Sequence, residues 1–386
     1  MSHGHPGPLR AGLITPLSLV LVFLSAVAFY FIGVRLIHGL GAVTNINPGY
    51  PWGIWVVFDV VIGTAFGCGG FAMALLIYVL NRGALHPLMR PALLGGLFGY
   101  TLAGFAVMFD LGRWWQVYNM FLPWHMNFTS VMLEIGLCVA AYVTVLWLEF
   151  WPAIFERLGW TRLRDLMGRI MWLLIALGVV LPSMHQSSLG TALIPLGHKL
   201  SDLYQTAWLP LLFVVSALAM GYAVVVFEAT LVTRSFGLPD EHALLVRVGR
   251  VVGWIVLAWL AFRFAELAWR GALGAAFGGH RVVPWFWAET LLALAAAGLF
   301  LSPAAQASAR ATFLGAVALL AFGSLYRVDA YLVGYTPAVE GYRYFPSVPE
   351  LMVTIGIVAF EILLYLVFIK IFPVLSLPAT ARPQRG

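Results

Sequence analysis

Ten runs of roughly 20 apolar residues occupy most of this chain, each long enough to cross a bilayer core of about 30 Å as an α-helix. They lie at 14–37, 52–80, 91–111, 126–150, 166–182, 206–232, 249–269, 284–301, 310–327 and 350–372. Inside lipid every backbone N–H and C=O needs an internal partner, so runs of this length fold as helices. The expected fold class is all-α, a polytopic membrane protein of about ten transmembrane helices. Composition agrees: 62% of the 386 residues are hydrophobic, 10% are charged, and the mean hydropathy is +0.92. The first run lacks a small-residue cleavage site before its end and is expected to remain as a span.

Arginine and lysine orient the spans. With the N-terminus inside, the inner side collects Arg10, Arg82, Arg90, Arg157, Arg162, Arg164, Arg169, Arg234, Arg247, Arg250, Arg310, Lys370, Arg382 and Arg385. The outer side holds Arg35, Arg113, Lys199, Arg263, Arg270, Arg281, Arg327 and Arg343. That is 14 against 8, so both termini are expected in the cytoplasm. The pI near 9.4 reflects these flanks and makes no case for nucleic acid.

Cysteine and histidine narrow the redox chemistry. Cys68 and Cys138 fall inside spans without a CxxC, and a protein-held iron–sulfur cluster normally takes four cysteine ligands. The histidines are His3, His5, His38, His86, His125, His185, His198, His242 and His280, all at a terminus, a span end or a loop. A membrane b-type haem held by two facing histidines is therefore not expected. Electrons crossing this chain would use a partner's carrier or a diffusible quinone.

Acids inside apolar runs are costly, at about 2.5–3.5 kcal/mol near mid-bilayer, and they mark polar paths or helix pairs. Asp59 and Glu134 are the sharpest cases, each expected roughly 10 Å inside the outer end of its span. Glu228, Glu289 and Glu361 are further intramembrane acids, read either as a second proton path or as helix locks. Asp110 with Arg113, and Arg263 with Glu266, have the i,i+3 spacing of simple pairs. Gly63, Gly67 and Gly70 in the second span and Gly95 and Gly99 in the third are expected to pack these helices closely. That packing would bring Asp59 near Tyr100.

The outer loops carry most of the local specificity. Asn45–Gly53 leads into the second span with two prolines, Phe109–Trp115 closes the third, and Leu122–Asn127 opens the fourth. Leu181–Gly190, with His185, Gln186, Ser187 and Ser188, is read as a polar segment following the fifth span. Loops 38–51, 112–125 and 182–205 are expected to seat a partner.

Asn47-Pro-Gly-Tyr-Pro-Trp-Gly-Ile-Trp55, Gly67-Cys-Gly-Gly70, Phe109-Asp-Leu-Gly-Arg113 and Pro182-Ser-Met-His-Gln-Ser-Ser188 resemble the NrfD-type membrane subunits of bacterial respiratory oxidoreductases. The likeness covers essentially the whole chain and points to the branch serving nickel–iron uptake hydrogenases. It implies two four-helix bundles, here 52–182 and 206–327, with flanking helices at 14–37 and 350–372. It implies that a periplasmic ferredoxin-like iron–sulfur subunit docks outside, joined to hydrogenase large and small subunits. Electrons would pass to menaquinone or ubiquinone in the first bundle. The matching positions are Tyr100, Arg113, His185 and Gln186 for quinone binding, with Asp59 and Glu134 as the proton relay.

Quinone reduction takes two electrons and two protons, so an acid must reach each carbonyl oxygen. Protons drawn from the cytoplasm would make the process electrogenic. A secondary transporter also uses intramembrane acids, though more often with helices broken at corresponding positions in two halves. A passive anchor would need no acids beyond packing pairs.

Overall fold

The computed structural model describes residues 5–9, 11–239, 241–338 and 341–377. Arg10, Arg382, Arg385 and His3 lie outside them. Among the described residues ten helices are long and apolar enough to cross a membrane. We number them α1 (Pro16–His38), α2 (Val56–Val79), α3 (Gly83–Asp110), α4 (Val131–Leu158), α5 (Thr161–Thr191), α6 (Leu209–Phe236), α7 (His242–Trp269), α8 (Val283–Leu301), α9 (Ala309–Val333) and α10 (Val348–Ile371). Their order and number follow the apolar runs. The largest departure is α5, which continues through Thr191 although the fifth run was expected to end at 182. Pro182 lies inside it without ending it.

Local chemistry sets the helix ends. Thr15 and Ser347 build capping boxes before α1 and α10, each followed by proline in the first turn. Gly159 and Gly237 take the left-handed conformation that closes α4 and α6. Two strands, β1 (His5–Gly7) and β2 (Leu375–Leu377), pair antiparallel and bring the segments before α1 and after α10 to one face. We call this the terminal face and the other the loop face.

Helix α1 packs on α10, and α10 on α3. Helices α2 to α6 contact one another in sequence and α2 also meets α5 and α6; α6, α7, α8 and α9 complete the other side, with α9 against both α6 and α8. Helix α2 is the most enclosed of the ten and the least regular. It winds as a π-helix over Val56–Ile62 and Leu75–Val79, with a turn at Gly67 and Cys68 between. Helix α9 ends in another π-turn, Asp329–Val333. Each π-turn near the loop face carries a buried aspartate, Asp59 in α2 and Asp329 in α9.

Glycine brings α2 and α3 together, but unequally. A methyl group added at Gly96 would lie 2.6 Å from the Gly67 carbonyl oxygen, and one at Gly67 would lie 2.7 Å from the Tyr100 ring. Tyr100 therefore sits on Gly67, two turns along α2 from Asp59. Gly63 faces no neighbouring helix, its nearest contact being the Phe58 carbonyl 3.4 Å away in its own chain turn.

Three of the eight arginines and lysines assigned to the outer flank are not flank charges. Arg35, Arg263 and Arg327 are each no more than 2% exposed. Arg35 donates to the carbonyls of Phe109 and Leu111, satisfying the loop-face end of α3.

Candidate functional site

A buried polar network forms where α2, α3, α5 and α9 meet. Thr64 donates its hydroxyl to the Val60 carbonyl. Its oxygen accepts from Gln186 Nε2 at 2.9 Å and lies 3.1 Å from His185 Nε2. Because the Thr64 proton is committed to Val60, the hydrogen bonding assigns the proton of neutral His185 to Nε2. Nδ1 is then a bare acceptor, and it is buried without a partner among the described residues. The Tyr100 ring meets His185 edge-on at 5.7 Å and Tyr142 at 4.5 Å, and its hydroxyl lies 3.7 Å from Cys68 Sγ.

Arg327 closes this network from α9. Its guanidinium donates to Gln186 Oε1 at 3.2 Å, to the Val61 carbonyl at 3.0 Å, and to Ser216 Oγ and the Phe213 carbonyl at 3.3 Å. The π-turn in α2 exposes the Val61 carbonyl that receives it. One side chain thus ties helices from both halves of the chain.

Beside the network lies an apolar cavity of about 270 Å³ between α3 and α4. Thr101, Gly104, Phe105 and Met108 of α3 face Ile135, Gly136, Val139, Ala140 and Val143 of α4 across it. Val60 of α2 closes its back, and Val117, Met120 and Phe121 roof it from the loop face. Phe105 and Phe121 are exposed, so the rim opens toward lipid. Thr101 is the one hydroxyl on the wall, and it accepts from Trp147 Nε1 at 3.2 Å. Val60 directly follows Asp59, which is 7% exposed, and Thr101 directly follows Tyr100.

The structure brings Tyr100, His185 and Gln186 together and leaves Arg113 and Glu134 apart. Leu181–Gly190 is helix rather than a polar loop, so His185 lies about 9 Å inside the end of α5 and caps nothing. His185 and Gln186 are fully buried, which removes them from any docking surface. Glu134 was expected roughly 10 Å deep. It lies in the first turn of α4, one turn from Ser130, and is exposed. It precedes Ile135 and Gly136 and so stands at the rim of the cavity. Arg113 is exposed beyond α3 and forms no pair with Asp110, whose charged neighbours are Arg35 and Glu350.

The second half holds its own cluster. Arg263 contacts Glu289 at 2.7 Å rather than Glu266, and the Tyr204 hydroxyl donates to the same Glu289 oxygen at 3.0 Å. Rings of Tyr204, Trp259, Phe286 and Tyr326 surround the guanidinium at 4.7 to 5.2 Å. Glu266 pairs instead with Arg270 and accepts from the Thr206 hydroxyl at 2.5 Å. The i,i+3 reading missed both: the partner of Arg263 comes from α8, and that of Glu266 lies four residues along at the end of α7.

The family described as polysulphide reductase, NrfD, matches residues 42–332, which takes in the network and the cavity. The chain belongs to the NrfD family. Among NrfD-related proteins, this chain is 40% identical over 97% of its length to the "Probable Ni/Fe-hydrogenase 2 b-type cytochrome subunit" of Escherichia coli strain K12, covering 96% of that protein. It is 28% identical over 61% of its length to the "Menaquinone reductase, integral membrane subunit" of Nitratidesulfovibrio vulgaris strain Hildenborough, covering 58% of that subunit. The cytochrome wording of the first name finds no matching ligand pair here. Among the described residues His185 alone lies in a span interior, and its Nε2 is taken by Thr64. His38 and His242 are terminal residues of α1 and α7, His86 lies in the 3-10 turn that opens α3, and His125, His198 and His280 lie in short turns or loops. The described residues do not fit a haem held by two histidines.

Proposed function

We propose that this chain is the quinone-reactive membrane subunit of a respiratory oxidoreductase, its partner enzyme a nickel–iron hydrogenase. In this reading the loop face is periplasmic and the terminal face cytoplasmic, in the inner membrane of a bacterium. A ferredoxin-like iron–sulfur subunit docks on the loop face, around the exposed aromatics Trp115, Tyr118, Phe121 and Trp124. Electrons pass from it to menaquinone or ubiquinone. The relatives' names support the quinone and the hydrogenase, and the arginine distribution supports the orientation.

The observation that carries the reading is the lipid-facing apolar cavity set against a buried tyrosine–histidine network. A flat quinone ring suits apolar walls, and a cavity of about 270 Å³ takes a head group while the prenyl tail remains in lipid. Tyr100, buried behind the Thr101 wall rather than on it, supplies an O–H donor for a quinone carbonyl. His185 Nδ1 supplies the acceptor that a quinol hydroxyl requires. Asp59 behind the wall and Glu134 at the rim exchange the two protons. Gln186 and Arg327 fix the network, and Arg113 has no part in the chemistry.

A photoreactive azidoquinone tests this. Irradiated with the purified complex, it should label peptides of 101–108 and 135–143, and excess unlabelled quinone should suppress the label. Suppressible labelling confined to α6 through α9 would refute the placement. Complete absence of suppressible label would favour a passive anchor or a transporter.

A further inference from the structure

Helix α10 bears a polar stripe that the site above does not explain. Glu350, Thr354, Glu361 and Tyr365 fall within about 60° of one another around its axis at 3.6 residues per turn. Glu350 is saturated: its carboxylate accepts from the Tyr344 hydroxyl, Asn45 N and Ser347 N at 2.7 to 2.9 Å, and it caps the helix. The others have no such anchor. Thr354 is 7% exposed and its hydroxyl is without a partner among the described residues.

The glycines of α3 show what the stripe meets. Gly95 and Gly99 have the small-residue spacing of a helix-packing motif, yet each makes room for a carboxyl. A methyl group at Gly95 would lie 2.9 Å from Glu228 Oε1 of α6, and one at Gly99 3.2 Å from Glu361 Oε1 of α10. Glu228 and Glu361 thus sit one turn apart along the same face of α3. Glu361 is in turn an electrostatic neighbour of Asp59, and Asp59 of Asp110 at the loop-face end of α3. Tyr365 adjoins Glu228 on the terminal side.

Helix locks would pair these acids with donors. Instead, among the described residues, Glu228 Oε2 and Asp110 Oδ2 are buried without a partner, and the cation beside the series is Arg35, against Asp110. No group of three His, Cys, Asp or Glu among the described residues is placed to hold a metal ion. Closely placed carboxyls inside a membrane cannot all carry charge, so they hold protons that one can pass to the next. Water spans the gaps between such groups in other buried polar sites.

We propose that α10 carries a proton path from the terminal face to the quinone cavity, through Glu228, Glu361 and Asp59, with Thr354 lining it. The path rests on the quinone reading above. When a reduced iron–sulfur partner delivers two electrons to the quinone, two O–H bonds form on its carbonyl oxygens. One proton comes from Glu134 at the rim; the other leaves Asp59 by breaking its carboxyl O–H. Glu361 replaces it, Glu228 replaces that of Glu361, and water at the terminal face replaces the last.

The test uses the intact complex in sealed vesicles, with a pH-sensitive dye on one side and a short-chain naphthoquinone as acceptor. Glu361→Gln should lower quinone-linked turnover at least about tenfold and abolish proton uptake from the terminal face. Activity with an artificial dye and azidoquinone labelling should persist. Thr354→Val, which keeps shape, should slow the same step, and it decides the matter if Glu361→Gln fails to assemble. Parental turnover in both variants, with uptake still at the terminal face, would overturn the path and leave the quinone site standing. A parental complex that reduces no quinone would overturn both.

Discussion

Arg263 shows how far a single residue departs from its surroundings in this chain. A guanidinium at 2% exposure survives in the membrane because Glu289 neutralises it and four aromatic faces surround it. Replacing Arg263 by methionine leaves Glu289 as an uncompensated buried acid, at a cost of about 3–5 kcal/mol. Arg263→Met combined with Glu289→Leu should regain most of that loss. Thermal unfolding in detergent measures both, and a double variant no better than the single one would show that the pair is not the stabilising unit. Intramembrane acids were legible in the sequence, since Asp59, Glu228, Glu289 and Glu361 each interrupt an apolar run. Arg35, Arg263 and Arg327 were not, because an arginine near the end of such a run looks the same as a flank charge. Only the packing distinguishes them. Glu134 misled in the opposite direction: the apolar residues Met126 and Phe128 precede α4 rather than belonging to it, so the acid seemed deeper than it is.

At the scale of the element, regular helices were the readable part. Apolar runs located all ten, whereas the π-turns of α2 and α9 leave no periodic trace. His185 was misplaced for a related reason. Pro182 and the five polar residues among the six after it resemble a helix end, but buried Thr64 and Arg327 supply partners that let the helix run on. Glycine roles also divide by what lies opposite. Gly96→Ala would press a methyl group against the Gly67 carbonyl at 2.6 Å, where backbone cannot yield, and should cost about 1–3 kcal/mol. Gly63→Ala meets no other helix and should be neutral or slightly stabilising. Detergent melting curves of the two variants should separate clearly; equal curves would mean that α2 and α3 are not held at this contact.

At the scale of the molecule, the β1–β2 clasp joins the segments before α1 and after α10 and Arg327 joins the halves, so the cavity between α3 and α4 forms in a frame fixed at both levels. The central claim is that this cavity between α3 and α4 is where electrons leave for quinone. Ala140 lines it, and Ala140→Trp would fill it from the α4 side without touching the buried network. The decisive measurement is quinone-linked turnover of the intact complex compared with its dye-linked turnover. Ala140→Trp should reduce the first at least about tenfold, by excluding the ring from its bound position, and leave the second unchanged. Parental quinone-linked turnover in a complex shown to carry the tryptophan would contradict the account.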